Sequence, residues 1–427
     1  MEAIRIDVRS HVEHLEPTHI EPEPDAGSAH RASTLGHIKR AGMTAATVIA
    51  TLYAAVALSA CSSDDSTPAS PSAGGAAGSG PTTTATTGAG GSSAGSSDAT
   101  STTTSTGTAG STGTAGSGGS GGSSSMDAGG LKAQFVAHFD QMKGQLPEGT
   151  AVQNGVPYAG FATTSEVVKV NVADGTYSTY ATFPKPAPNT GFLTGLAFSA
   201  KSPGVLYGAL VSFMPETQPG IYQVSPEGGA ATLFAKDPMM PFPNGLFADE
   251  TGTWFVADST GIVFKISPDG KTVEKWSTDP LLAGDMVKPC AMVLPFAVGA
   301  NGIVKNGDSY YVTNTDKGYV VRIPVGTDGK AGTATIFAGP DCALLAGADG
   351  ITVRGTDLLV AANIRNQIVR VGPTGSLSVL VSGDPFDFPA SLAFDKDTLY
   401  VTNFALANAS TGKMGAPGLM RVDLTGK

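Results

Sequence analysis

The chain has 427 residues, of which 15% are charged, and its net charge of −10 at pH 7 is spread along the sequence without long runs. It contains no basic stripe, so nucleic acid is excluded as an expected partner. From residue 131 onward, about 300 residues remain, which is enough for a single all-β domain with a sizeable core.

The first feature along the chain is an uncharged stretch at 41–60, AGMTAATVIATLYAAVALSA, which follows HIKR at 37–40. A cationic patch, an apolar run and small residues are typical of a secretory signal. The stretch ends in Leu-Ser-Ala-Cys, which resembles a bacterial lipobox and implies that Cys61 is lipidated. The alternative is a transmembrane anchor, because 20 uncharged residues just span a bilayer. Both interpretations export the rest of the chain.

The next segment is a linker. Residues 62–130 are almost wholly Ser, Thr, Gly and Ala and contain no aromatic residue. Such a segment buries too little apolar surface to offset the entropy of ordering, so we expect it to be disordered. The predicted organisation is a 1–60 extension and signal peptide, a 61–130 lipidated linker and a 131–427 domain. The protein is expected to be lipid-anchored in the bacterial cell envelope, with no other membrane contact.

The domain consists of one sequence unit that is repeated six times. The six copies open with EGTAV (148), TGLAF (194), NGLFA (244), NGIVK (301), DGITV (349) and ASLAF (390). Each opening is followed by two more apolar runs, and usually by a third, with Gly, Asp, Asn or Pro between them. Short β-branched and aromatic runs between such residues are strand and turn signals. Four strands in about 40–50 residues are typical of a propeller blade. The sequence therefore predicts an all-β fold, a six-bladed β-propeller with four-stranded blades.

The ends of the domain predict how the ring closes. The sixth copy lacks a fourth strand, because the sequence stops soon after LMRVDL. A spare strand, AQFVAHF at 133–139, precedes the first copy. We expect this strand to pair in the last blade, which removes an exposed sheet edge.

The openings of the blades supply candidate ligands. The residue just before each first strand is expected on the rim of the central channel, and around the ring these residues are Glu148, Thr194, Asn244, Asn301, Asp349 and Ala390. Two carboxylates and two carboxamides are oxygen donors that suit Ca²⁺ or Mg²⁺, and no His or Cys joins them as a Zn site would require. The alternative is turn chemistry, since Asn-Gly and Asp-Gly are favoured turn pairs. Glu148 does not fit that alternative.

This arrangement resembles the SMP-30/gluconolactonase family of six-bladed propellers and, more distantly, the paraoxonases. The resemblance covers 131–427 through short motifs. In that family a Glu of blade one, Asn residues of blades three and four and an Asp of blade five surround a divalent metal. The resemblance implies that Glu148, Asn301 and Asp349 bind the metal directly, and that Asn244 is a further ligand or holds substrate. Ca²⁺ is the expected ion, with Mg²⁺ or another divalent ion as the alternative.

The family chemistry implied is hydrolysis of a lactone or related ester by a monomeric enzyme, with Asp349 as general base. Sugar-lactone members carry an Arg two residues before the blade-three Asn, where this chain has Phe242. With neutral Thr194 also on the rim, a more apolar substrate is expected, bound by Asn244, Phe242 and Thr194. The alternative function is a non-catalytic propeller that binds an unknown ligand or a protein, with the ion structural.

Two loop features complete the expectations. Cys290 and Cys342 precede neighbouring blades on the face of the proposed metal, and in an exported protein they are expected to form a disulfide rather than remain free thiols. The apolar loop 279–300 either covers the channel mouth or packs on blades three and four. Asp258, Asn314, Asn363 and Asn403 recur near the ends of second strands, which favours a turn or inter-blade hydrogen bond.

Overall fold

The computed structural model describes residues 130–290 and 296–426. The signal, Cys61 and the linker lie outside the described residues, so lipidation and export stay predictions. Within 130–290 and 296–426, no helix is long and apolar enough to cross a membrane.

The described residues form six sheets, each with four antiparallel strands and one with a short fifth strand at its edge, so the predicted six-bladed propeller is confirmed. Blades one and two consist of β2 (Pro147–Gln153), β3 (Val156–Phe161), β4 (Glu166–Val170), β5 (Tyr177–Thr182), and of β6 (Gly191–Phe198), β7 (Leu206–Ser212), β8 (Gly220–Val224), β10 (Thr232–Ala235). Blades three and four consist of β11 (Pro243–Ala248), β12 (Trp254–Asp258), β13 (Ile262–Ile266), β14 (Val273–Ser277), and of β15 (Ala300–Asn306), β16 (Ser309–Asn314), β17 (Tyr319–Pro324), β18 (Thr335–Ala338). Blades five and six consist of β19 (Ala348–Arg354), β20 (Asp357–Ala362), β21 (Gln367–Val371), β22 (Leu377–Ser382), and of β23 (Pro389–Asp395), β24 (Thr398–Asn403), β25 (Gly418–Asp423), β1 (Ala133–His138).

The remaining elements are short. Strand β9 (Gly229–Ala230) adds a parallel edge to β5 of blade one. The one α-helix of the described residues, α1 (Leu406–Ser410), lies between β24 and β25. Three 3₁₀ turns span Gln141–Lys143, Pro280–Leu282 and Asn363–Arg365.

The ring is closed by the first strand, as predicted. Strand β1 pairs antiparallel with β25, with Ala133 opposite Val422 and His138 opposite Gly418. The inner strands β2, β6, β11, β15, β19 and β23 pack on one another in that order, and β23 packs on β2. The amino-terminal strand therefore completes the blade that the carboxyl terminus leaves unfinished.

The hydrophobic core lies between blades. Six clusters of buried side chains each join two adjacent blades, including the pair six and one. Between blades three and four, for example, Phe255 stacks on Tyr310 with ring centroids 4.1 Å apart. Because both faces of every sheet are covered, the strands read as short continuous apolar runs rather than as alternating ones.

A β-bulge at the start of every inner strand places the rim residues. In blade three, Pro243 pairs with Asp258 but the next pair is Leu246 with Val256, so one residue is extra. The other five blades carry the same irregularity. The sequence placed the rim residues just before the inner strands; this was wrong, since they lie inside them. The physical reason is the bulge, which re-aims a side chain without ending the ladder.

Candidate functional site

Four polar side chains of the rim meet in the channel. Glu148, Asn244, Asn301 and Asp349 each retain only 5–6% of their accessible surface. The last three line one cavity of about 70 Å³ on the channel axis. They come from blades one, three, four and five, as the spacing of the repeats predicted.

The orientation of Asn301 follows from its neighbour Thr315. The Thr315 hydroxyl donates to the carbonyl of Ala348 at 2.8 Å, so it can only accept from the Asn301 amide nitrogen, 3.0 Å away. This bond and the one from the Asn301 amide to the Asp349 carboxyl hold the Asn301 side chain in place.

Equivalent partners hold the side chains of blades three and five. Asn244 Nδ2 donates to Ser259 Oγ at 3.3 Å, and Asn363 Nδ2 donates to Asp349 Oδ2 at 3.1 Å. In these blades, the residue just before the rim position pairs with the last residue of the second strand. Ser259, Thr315 and Asn363 each directly follow that last residue, so they form one structural set. Sequence reasoning missed this set. The signal was present, because each is the first residue after the second strand of its blade.

Asn363 therefore does not belong with the three residues it was grouped with. Asp258 accepts the Phe242 N–H, Asn403 accepts the Asp387 N–H, and Asn314 donates to the carbonyls of Leu281 and Ala283. These three hold the loops that enter their own blades. Their role in hydrogen bonding is as expected, although the bonds stay within a blade, whereas Asn363 contacts the site itself.

The electrostatics of the channel disfavour ionisation of its two carboxyl groups. Burial raises the pKa of Glu148 well above its usual value, and the charge of Asp349 raises it further. Burial also raises the pKa of Asp349 to about 7, against the opposing hydrogen bonds from Asn363 and Asn301. No ion pair between described residues includes either carboxylate. Glu148 Oε2 is buried and has no hydrogen-bond partner in 130–290 or 296–426.

Close packing between adjacent blades explains why the rim residues are so often followed by Gly. Adding a Cβ to Gly245 would place it 2.5 Å from the carbonyl oxygen of Asn301, and at Gly302 it would lie 2.6 Å from that of Asp349. Gly195 and Gly350 meet the next blade in the same way. None of these glycines has a positive φ. The Asn-Gly and Asp-Gly pairs are therefore not turns, which removes the alternative explanation of the motif; the glycines let adjacent blades approach.

Two rim positions are not available to a ligand. Thr194 is 0% exposed, and its hydroxyl lies 2.9 Å from the Pro243 carbonyl and 3.1 Å from that of Ala209. The expectation that Thr194 binds substrate is not met, because its hydroxyl joins blades two and three through their backbones. Ala390 is also fully buried.

An apolar collar lies below the rim. Two residues after each rim position, the side chains are buried and, in five blades, are Leu or Ile; the collar consists of Leu196, Leu246, Ile303, Ile351 and Leu392, with Thr150 in blade one. These side chains line the same cavity as the polar donors. The rim residues lie near the starts of the inner strands, and we call that end of the channel the mouth.

The mouth has an apolar side. Four phenylalanines form a phenyl wall over blades two and three: Phe192, Phe213, Phe242 and Phe296. The ring centroids of Phe192, Phe213 and Phe296 lie 5.6–5.9 Å from that of Phe242. Phe192 also packs on a mouth cluster of blades six and one that contains Leu146, Ala162, Phe388, Ala390, Phe404 and Ala409.

The loop 279–300 packs on blades three and four at its start and reaches the mouth at its end. Leu282 is buried in the cluster between those blades, and Lys288 forms a buried ion pair with Asp316 at 2.8 Å. Phe296 lies against Phe242 at the far end, and residues 291–295 lie outside the described part. The packing interpretation of the loop therefore holds for its first half.

Cys290 and Cys342 are joined by a disulfide. They lie on the loops that enter blades four and five, and Gly347, two residues before Asp349, donates its N–H to the Cys290 carbonyl at 3.0 Å. The disulfide therefore braces the backbone next to two of the four donors.

Loss of this disulfide is expected to lower stability. A bridge between residues 52 apart constrains the unfolded chain by about 4 kcal/mol, of which measured bridges usually deliver about 2–4 kcal/mol. Replacing both cysteines by Ser should reduce the free energy of unfolding in urea by that amount. Without reductant, the denatured wild-type chain should show at most one reactive thiol, that of Cys61; two or three would contradict the bridge.

The donor set fits a divalent cation. Oxygen atoms of two carboxylates and two carboxamides are the ligands that hard cations prefer, and the unpartnered Glu148 Oε2 needs a positive partner. No group of three His, Cys, Asp or Glu residues suited to a metal is found among the described residues, so the amides are essential to the fit.

Comparison with known proteins gives the fold. No family model matches the sequence, and no curated protein matches it. Among solved structures, the luciferin-regenerating enzyme is 16% identical with a TM-score of 0.53, over 70% of this chain and 96% of that one. The PQQ-bound aldose sugar dehydrogenase of Streptomyces coelicolor is 15% identical with a TM-score of 0.52, over 69% and 98%. A gluconolactonase of Xanthomonas campestris is 16% identical with a TM-score of 0.50, over 70% and 91%. The chain has the six-bladed propeller fold of these enzymes.

Proposed function

We propose that the chain binds a divalent cation in the channel and hydrolyses a lactone or related ester at the mouth. The observation that carries the proposal is a pair of buried carboxylates that no cationic side chain of the described residues pairs with, one of them with an oxygen that no described residue hydrogen-bonds. The gluconolactonase with the same fold supports the reaction class. The fold itself does not decide, because the sugar dehydrogenase with the same fold was solved with PQQ.

Glu148, Asn301 and Asp349 would hold the cation, with Asn244 as a fourth donor. Ca²⁺ is the expected ion, since the donors are all oxygens. When bound, the cation balances the carboxylates and acts as a Lewis acid on the carbonyl oxygen of the ester. Thr315, Ser259 and Asn363 keep the donors oriented, which is the usual work of groups behind a metal ligand.

Asp349 is the proposed general base. As the oxygen of water bonds to the carbonyl carbon, the Asp349 carboxylate takes up a proton from that water. The ester C–O bond breaks, and the leaving alkoxide takes up the proton held by Asp349, which gives a carboxylic acid and an alcohol and regenerates the Asp349 carboxylate. A carboxylate is well placed for this because it is held by Asn363 on one oxygen, Oδ2.

Calcium titration tests the metal site. In calorimetry, the EDTA-treated wild type should bind about one Ca²⁺, and Glu148→Gln should bind at least tenfold more weakly, since one of two compensating charges is lost. Glu166→Gln, in the same blade, makes the same change of charge and should bind like wild type.

Hydrolysis is then followed in a pH-stat over a panel of lactones and aryl esters. Metal binding with hydrolysis supports the proposal. Metal binding with no hydrolysis across the panel would leave a binding propeller with a structural ion. Absence of any metal binding would show that the four donors are not a metal site.

A further inference from the structure

The phenyl wall lies directly beside the polar rim. Phe242 stands two residues before Asn244, and its carbonyl accepts the N–H of Ser259, which in turn holds the Asn244 amide. Phe192 stands two residues before Thr194 in blade two. Both rings therefore lie on the mouth side of the rim, in two blades whose rim residues are uncharged.

The opposite side of the mouth is built differently. At the positions two before Asn301 and Asp349, the chain has Gly299 and Gly347. A Cβ at Gly299 would meet the Leu282 carbonyl, and one at Gly347 would meet the Asn363 side chain. Blades four and five thus present backbone and amide groups where blades two and three present phenyl rings. A ligand that touches the polar rim has a polar wall on one side and an apolar wall on the other.

Exposed apolar side chains continue the phenyl wall outward. Met214 follows Phe213, Met239 lies on the loop that ends at Phe242, and Met286 with Val287 lies on the loop that contains Phe296. All five exposed methionines of the described residues lie on loops of the mouth face; the other two are Met142 and Met414. Met is flexible and polarizable, and it is enriched at surfaces that bind varied apolar groups. Exposed apolar side chains grouped on one face mark a binding surface.

Resting on the proposed hydrolase function, we propose that the phenyl wall is a subsite for a hydrophobic arm of the substrate. The preferred lactone or ester then carries an alkyl chain or an aryl group, which lies on Phe192, Phe213, Phe242 and Phe296 while its carbonyl reaches the polar rim. A polyhydroxylated substrate gains nothing from this wall, because its hydroxyl groups would lose water without a partner. The subsite favours one substrate class over another by apolar contact.

A series of δ-lactones with alkyl side chains of increasing length tests the subsite in the full-length protein. Each buried methylene contributes about 0.8 kcal/mol, so kcat/KM should rise about fourfold per carbon until the wall is covered. Phe213→Ala removes one half-buried ring of the wall and should flatten this slope, while Phe213→Leu should retain most of it. The control is Phe198→Ala. This half-buried ring lies at the end of β6 that is remote from the mouth, so its loss should leave the slope unchanged.

Binding of non-hydrolysable ligands separates the two proposals. Cyclic ketones with the same alkyl chains should bind more tightly with each carbon in calorimetry, and Phe213→Ala should flatten this dependence on chain length as it does in kinetics. Chain-dependent binding without any hydrolysis would overturn the hydrolase function and keep the subsite. Hydrolysis with no dependence on chain length, in kinetics and in binding, would overturn the subsite and keep the hydrolase.

Discussion

Asp349→Asn is expected to lower kcat for lactone hydrolysis by about 10²–10⁴, the range for loss of a general base. The amide is nearly isosteric with the carboxylate, but it neither accepts a proton nor compensates a cation. The measurement is initial-rate kinetics with saturating Ca²⁺, so that weaker binding of the ion is not mistaken for lost chemistry. Asp395→Asn, at the far end of an inner strand, is the control and should hydrolyse like wild type.

The same variant makes a second test through stability. In EDTA, the wild type keeps two buried carboxylates without a counter-charge, so Asp349→Asn should raise its melting temperature. With Ca²⁺ at 100 times its dissociation constant, the wild type gains about 2.7 kcal/mol and the order should reverse. A variant that is less stable than wild type in EDTA would contradict the charge imbalance. Full activity in Asp349→Asn would remove Asp349 from the catalytic role.

Removal of residues 1–139 is expected to abolish cooperative unfolding, because it deletes strand β1 and leaves β25 as an open edge. Ala137 and Phe139 belong to the cluster that joins blades six and one, so this deletion also opens that cluster. Removal of residues 1–130 alone should leave the melting curve unchanged. The measurement is thermal unfolding by circular dichroism, with size-exclusion chromatography to detect aggregation through the exposed edge.

A point substitution gives a finer version of that test. Ala137→Glu buries an unpaired carboxylate between Phe161 and Leu419 and should cost several kcal/mol. The matched change at the next residue, His138→Glu, places the charge on an exposed position and should be nearly neutral. Equal effects at the two positions would show that β1 does not pack as described.

Most of the fold could be predicted from the sequence repeat, and the reason is physical. A blade cannot bury its faces alone, so every copy must keep the same apolar runs and turns, and these are visible as a repeating phrase. The spare strand at 133–139 was identified because the last copy was one strand short. The rim residues were found because they stand at one phase of the repeat.

The parts that were missed depend on register and on side-chain partners. No particular residue type signals a one-residue bulge, so the rim residues were predicted to lie outside their strands. Asn363 was grouped with Asn314 because both are Asn near a strand end, yet pairing puts Ala362 opposite Ala348 and Asn363 beside Asp349. Thr194 looked like a rim donor, but a hydroxyl also bonds backbone carbonyls, and in this blade it does so.

Closure by β1 also determines the order in which the site can form. The pairing of Ala133 with Val422 joins the two ends of the domain, and such long-range contacts carry the highest loop-closure entropy of the fold. Glu148 lies in blade one and Asp349 lies in blade five, so the two carboxylates are brought together only when the ring is complete. A cation that bound both carboxylates would therefore report ring closure, and its binding would stabilise the closed ring against reopening of the seam between the first and last blades.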